Sequence, residues 1–78
     1  MAKEDIISRI TINQNILHGK PSIRNLRYGV DDILSYLAGG DTVESLLKRF
    51  PDLENEDIQA CLEYASKMIK SKSVYLTA

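Results

Sequence analysis

The sequence predicts a mainly α fold with a small β element: three amphipathic helices, the last two in helix-turn-helix order, preceded by an N-terminal strand and a short hairpin. Three observations predict it. After Val30 the apolar residues recur at i, i+3, i+4 and i+7 in three successive segments, the spacing that lays a stripe along one helix face. Each segment is flanked by residues that cap or stop a helix. Before Val30 the pattern changes, and IISRITI offers β-branched residues in partial alternation.

The first helix, about 30–38, carries Val30, Ile33, Leu34 and Leu37 and stops at Gly39-Gly40, because glycine readily enters the left-handed conformation that ends a helix. The second, about 42–50, carries Val43, Leu46, Leu47 and Phe50, with Asp41 or Thr42 as cap and Pro51 closing it. The third, about 54–71, carries Ile58, Cys61, Leu62, Ala65, Met68 and Ile69. With Glu54 at its cap position, Leu53 and Ile58 fall where a hydrophobic staple fixes the angle of entry. Upstream, SIRNLRYGV can turn back on itself around Asn25, while Ile6-Ile7 fit either a strand or irregular chain packed on the helices. The tail, 72–78, is apolar at Val74, Tyr75 and Leu76 and reads as a short strand or a partner-binding segment.

A chain of 78 residues holds one domain, here 1–78, and the core it can bury is modest. Marginal stability of the lone chain makes a second copy an expected partner. A single cysteine, Cys61, excludes an internal disulfide, and no C-x-x-C or His/Cys cluster offers a metal site. A reducing, cytoplasmic setting fits. MAKEDIISRI has carboxylates where a signal peptide needs an apolar run, and no stretch approaches the roughly 20 apolar residues that span a bilayer.

Net charge is −1, but its distribution is uneven. The segment 6–30 contains Arg9, Lys20, Arg24 and Arg27 and no acidic residue. From Asp31 to Ser66, nine carboxylates face only Lys48 and Arg49, and Lys67, Lys70 and Lys72 follow. The chain is basic, then acidic, then basic.

Catalytic material is thin, and no catalytic residue, cofactor or small-molecule ligand is expected. His18 precedes Gly19 in a loop and reads as exposed or hydrogen-bonded. Cys61 lies on the apolar stripe of the third helix, where a free cysteine behaves as a small hydrophobe. Asp31-Asp32 open a helix and favour its positive end. Gly19-Lys20-Pro21-Ser22 lacks the glycine spacing of a phosphate loop, and Pro21 removes an amide donor.

The helix-turn-helix order suggests DNA, yet the would-be recognition helix begins ENEDIQACLEY, without a single cation. Affinity for a polyanion comes from lysine and arginine at phosphates, so that helix is repelled. Any contact with DNA or an acidic protein surface therefore falls to Arg9, Lys20, Arg24 and Arg27, with Tyr28 able to stack on a base or to sit at the core edge. The competing reading has these cations pair with the domain's own carboxylates or with those of a second copy.

The run GKPSIRNLRYGVDDILSYLAGG, followed by RFPDLENEDIQACLEYA, resembles the prokaryotic family known as domain of unknown function 433. The matching positions are Gly19, Lys20, Pro21, Ile23, Arg24, Arg27, Val30, Ile33 and Leu34, then Leu37 to Gly40, Phe50, Pro51, Leu53, Asp57, Ile58, Ala60, Leu62 and Tyr64-Ala65, and the likeness covers about 6–65. The resemblance implies a homeodomain-like three-helix domain acting as the antitoxin partner of a ribonuclease-like toxin, a functional inference that rests on analogy. Glu54 departs from the family's usual Thr or Ser, which weakens a helix cap, and Asn25-Leu26-Arg27 replace its Gly-Thr-Arg turn.

Overall fold

The computed structural model describes residues 6–71. The three stripes become three helices: α1 over Val30–Ala38, α2 over Val43–Arg49 and α3 over Asn55–Ser71. Their buried faces meet in one cluster of Ile23, Val30, Ile33, Leu46, Leu53, Ile58 and Cys61, with Leu34, Leu37, Val43, Leu47, Phe50 and Tyr64 packed around it. Leu53 and Ile58, the staple pair, are both in that cluster, so the α2–α3 turn is anchored from below.

The helix ends follow from local chemistry. Thr42 supplies the cap of α2: its hydroxyl accepts the Ser45 amide at 3.0 Å, and the Ser45 hydroxyl accepts the Thr42 amide at 3.1 Å. α1 ends with Gly40 at φ +107°, a conformation that side chains rarely adopt. Asp31 and Asp32 occupy the first turn of α1, where carboxylates favour the helix dipole.

The β element is smaller than the β-branched run suggests. Among the described residues the two strands are Ile10–Thr11 (β1) and Ser22–Ile23 (β2), antiparallel in the register Ile10 to Ile23 and Thr11 to Ser22, with an isolated antiparallel bridge from Ser22 to Gly29. Ile6 and Ile7 have helical backbone, so tertiary context overrides their strand propensity. Between β1 and β2 the chain makes a single 3-10 turn, Leu17–Gly19, with Leu17 and His18 at φ 52° and 56°. After β2, Arg24 and Asn25 are both left-handed, and the Leu26 amide donates to the Ile23 carbonyl at 2.7 Å, closing a tight mirror-image turn. The chain then returns, with the Ile23 amide donating to the Tyr28 carbonyl at 3.2 Å. This is the hairpin expected around Asn25. The N-terminal residues 1–5 and the tail 72–78, proposed as a strand or binding segment, lie outside the described residues.

Candidate partner-binding surface

The β1–β2 pair sets two of the expected contact residues side by side, because the Arg24 amide donates to the Arg9 carbonyl at 2.8 Å just beyond the paired residues. Both side chains then run to the same place, the start of α3. Arg24 donates from Nε to Asp57 Oδ1 at 3.0 Å and from Nη2 to Oδ2 at 2.8 Å, a fork-to-fork pair. Arg9 Nη1 donates to Asp57 Oδ1 at 3.0 Å and to Glu54 Oε1 at 2.7 Å. Arg24 Nη2 also donates to the Asp52 carbonyl at 2.8 Å, stitching the α2–α3 turn to the hairpin.

Asp57 is the hub. Its side chain is 0% exposed, and Oδ2 also accepts the Glu54 amide at 2.8 Å, which is half of a capping box at the start of α3. Glu54 turns its own carboxylate outward to Arg9, and the Asp57 amide that a Thr or Ser cap side chain would bind donates to the Glu54 carbonyl at 2.9 Å. Burial pushes the Asp57 carboxyl up. The bonds from Arg24, the Glu54 amide and Arg9 outweigh that and hold it below the ordinary carboxylate range. The same contacts push both guanidiniums further up, Arg9 mainly through Glu54 and then Asp57, Arg24 mainly through Asp57. An unpaired buried carboxylate would be expensive; two cations and an amide make this one tolerable.

The remaining expected contact residues do not join this cluster. Lys20 forms an exposed pair with Asp31 at 3.2 Å. Arg27 is exposed and makes no ion pair among the described residues. Tyr28 sits at the core edge: its ring meets Phe50 edge-on, with centroids 5.5 Å apart, and its hydroxyl donates to Asp52 Oδ2 at 3.4 Å. Desolvation and Asp52 both raise its pKa. Of the four cations, Arg9 and Arg24 are thus bound to the domain's own buried carboxylate, and Arg27 has no ion-pair partner among the described residues.

Sequence reasoning missed two features. Asp57 was legible as a carboxylate in a first helical turn and as a position shared with the family but not as a hub, although its place three residues after the Glu54 cap position is a capping-box signal. Arg49 was not singled out; it pairs with Asp41 at 2.9 Å and lies 4.9 Å over the Tyr36 ring and 5.1 Å over Phe50. Among the described residues no three of His, Cys, Asp and Glu converge as a metal ion requires. Cys61 is fully buried, and burial pushes its thiol up to about 12, so it is packed as a hydrophobe. No helix among the described residues is long and apolar enough to cross a membrane.

A three-helix bundle with a short strand pair, pinned at the head of its last helix by a two-arginine clamp, is the class of domain these observations define. The chain belongs to the family described as Protein of unknown function (DUF433), whose model matches residues 10–65, a span that takes in the strand pair, Arg24, Asp57 and most of α3. It is also similar to "Uncharacterized protein y4eO" of Sinorhizobium fredii (strain NBRC 101917 / NGR234), 36% identical over 56 residues. That match covers 72% of this chain and 25% of the relative. No solved structure matches the chain.

Proposed function

We propose that this is a non-catalytic, cytoplasmic protein-binding module that works as a homodimer and serves as the antitoxin-like member of a pair with a toxin protein. The observation that carries the reading is the convergence of Arg9 and Arg24 on Asp57. Those are two of the four cations expected to meet phosphate, and both are committed inside the domain. The start of α3 offers exposed Glu54 and half-buried Glu56 in their place, which repel a polyanion. The free surface suits another protein better than a duplex.

A second reading, contact with DNA, is favoured by one observation: Arg27 is exposed and without an ion pair among the described residues, on the hairpin loop near Lys20 in the chain. The test separates them. Lys20→Glu and Arg27→Glu leave the clamp intact, whereas reversal at Arg24 breaks it and reports only on folding. We expect no shift of the duplex upstream of the gene at low salt, and a stable complex with the co-expressed product of the adjacent gene. A low-salt shift lost in Arg27→Glu and retained in Glu56→Lys overturns the protein-binding reading in favour of DNA.

A further inference from the structure

Helix α3 carries more apolar surface than its core stripe needs. Leu62 and Ile69 are 50% and 56% exposed, and a separation of seven residues puts them two turns apart on the same face, with Ala65 and Ser66 between. Ala65 also lines an open groove of about 230 Å³, whose other apolar walls are Pro21, Val30, Leu34, Tyr64 and Met68. Strip and groove therefore adjoin along one side of the helix. A lone exposed leucine needs no explanation, but an apolar strip continuous with an apolar groove does.

Charge identifies the occupant. Around this face the first half of α3 carries Glu56 and Glu63 and the second half Lys67 and Lys70, and none of the four has an ion pair among the described residues. A helix with separated signs is complementary to itself only when reversed. Antiparallel approach centred between Ala65 and Ser66 brings Leu62 onto Ile69 of the second helix and Glu63 beside its Lys67. Parallel approach leaves Glu63 and Lys67 of the two helices on opposite sides of the contact, where they do not meet. We infer that a second copy of this chain docks on the Leu62–Ile69 face of α3, antiparallel, across a two-fold axis near Ala65. Two aliphatic side chains fall short of the roughly 800 Å² per partner that a stable pair buries, so the adjoining groove belongs to the same contact. The small core leaves a lone chain with little stability in reserve, which a two-fold contact supplements.

The inference rests on the homodimer reading, and the experiment tells the two apart. Solution mass is measured by light scattering or sedimentation for the full chain, for Leu62→Asp with Ile69→Asp, for Glu63→Lys, and for Lys67→Glu with Lys70→Glu. Circular dichroism confirms that each variant is folded. We expect a wild-type dimer, a monomer for the aspartate pair, and self-association weakened about tenfold or more by either charge reversal, because each reversal creates two like-charge contacts across the axis. Under the antiparallel arrangement, mixing the two charge variants sets opposite signs at both contacts across the axis, so the mixture is expected to pair where each variant alone does so weakly. Combining all three changes in one chain restores opposite signs on both sides of the axis and returns the dimer. A wild-type monomer at about 100 μM, far above the affinity of a pair of standard size, overturns both the homodimer reading and this surface. A dimer indifferent to the aspartate pair overturns the surface alone. A monomer whose Leu62–Ile69 face instead holds the co-expressed neighbour, the complex lost with Ile69→Asp, also overturns it.

Discussion

Arg24 holds Asp57 by both arms of its guanidinium, at 3.0 and 2.8 Å, across 33 residues of chain. Arg9 shares the same carboxylate from 48 residues away. Loss of the carboxylate removes the centre of this arrangement, so Asp57→Ala is expected to cost the most. Breaking a buried pair typically costs about 3–5 kcal/mol. The lower end applies, since both arginines reach solvent and can rehydrate once freed. Arg24→Ala should cost roughly 1.5–3 kcal/mol, the range for hydrogen bonds to a charged group, and Arg9→Ala less, because Glu54 is exposed. Urea unfolding midpoints give the order; a cost for Arg9 above that for Asp57 would refute the hub.

Acid should unfold the domain through the same group. The folded Asp57 carboxyl titrates below its unfolded value of about 3.9, so its contribution is complete above that value and is lost as pH falls through the folded pKa. Stability is therefore expected to be flat with respect to Asp57 between about pH 5 and 8 and to drop below about pH 4. In Asp57→Asn the acid drop should be shallower, measured as urea midpoint against pH.

Cys61 sets the alkaline limit with the opposite sign. Its thiol is raised to about 12 in the folded chain, against about 8.5 when unfolded. Stability from this group is intact below the unfolded value and declines as pH rises from there toward 12. Iodoacetamide at about pH 8, below the unfolded thiol's pKa, should modify Cys61 only as fast as the chain opens, and Cys61→Ala should remove that part of the alkaline loss. Rapid alkylation of the native protein would contradict the packing.

The reciprocal bonds of Thr42 and Ser45 make α2, a helix of seven residues, dependent on its cap. Thr42→Ala is expected to cost about 1 kcal/mol. Because both hydroxyls belong to one motif, Thr42→Ala with Ser45→Ala should cost less than the two single changes together, a non-additivity that thermal melts can read.

The helical half was legible because its periodicity and its caps agree: Val30 to Ala38 was bounded by an apolar stripe and two glycines, and α2 and α3 start within a residue of the expected position. The N-terminal half was legible in part: a strand and a turn around Asn25 were expected, and the 3-10 turn at Leu17–Gly19 and the helical backbone at Ile6 and Ile7 were not. Its shape depends on left-handed backbone at Leu17 and Arg24, residue types that rarely adopt it, beside His18 and Asn25, which adopt it more readily. For the candidate surface, composition revealed a basic segment and an acidic one, but not which members would meet. Arg9 and Arg24 find Asp57 only because the Ile10–Ile23 register sets them together at one end of the strand pair, and register is a tertiary outcome.

The clamp joins the first third of the chain to its last helix, and such distant closure carries a large entropy cost before it returns any contact energy. The expected folding order is helices first, then docking of the strand pair as a late event that locks the assembled bundle. Arg24→Ala should then accelerate unfolding while leaving the refolding rate nearly unchanged, so that the salt cluster governs how long the native molecule lasts and not how quickly it forms.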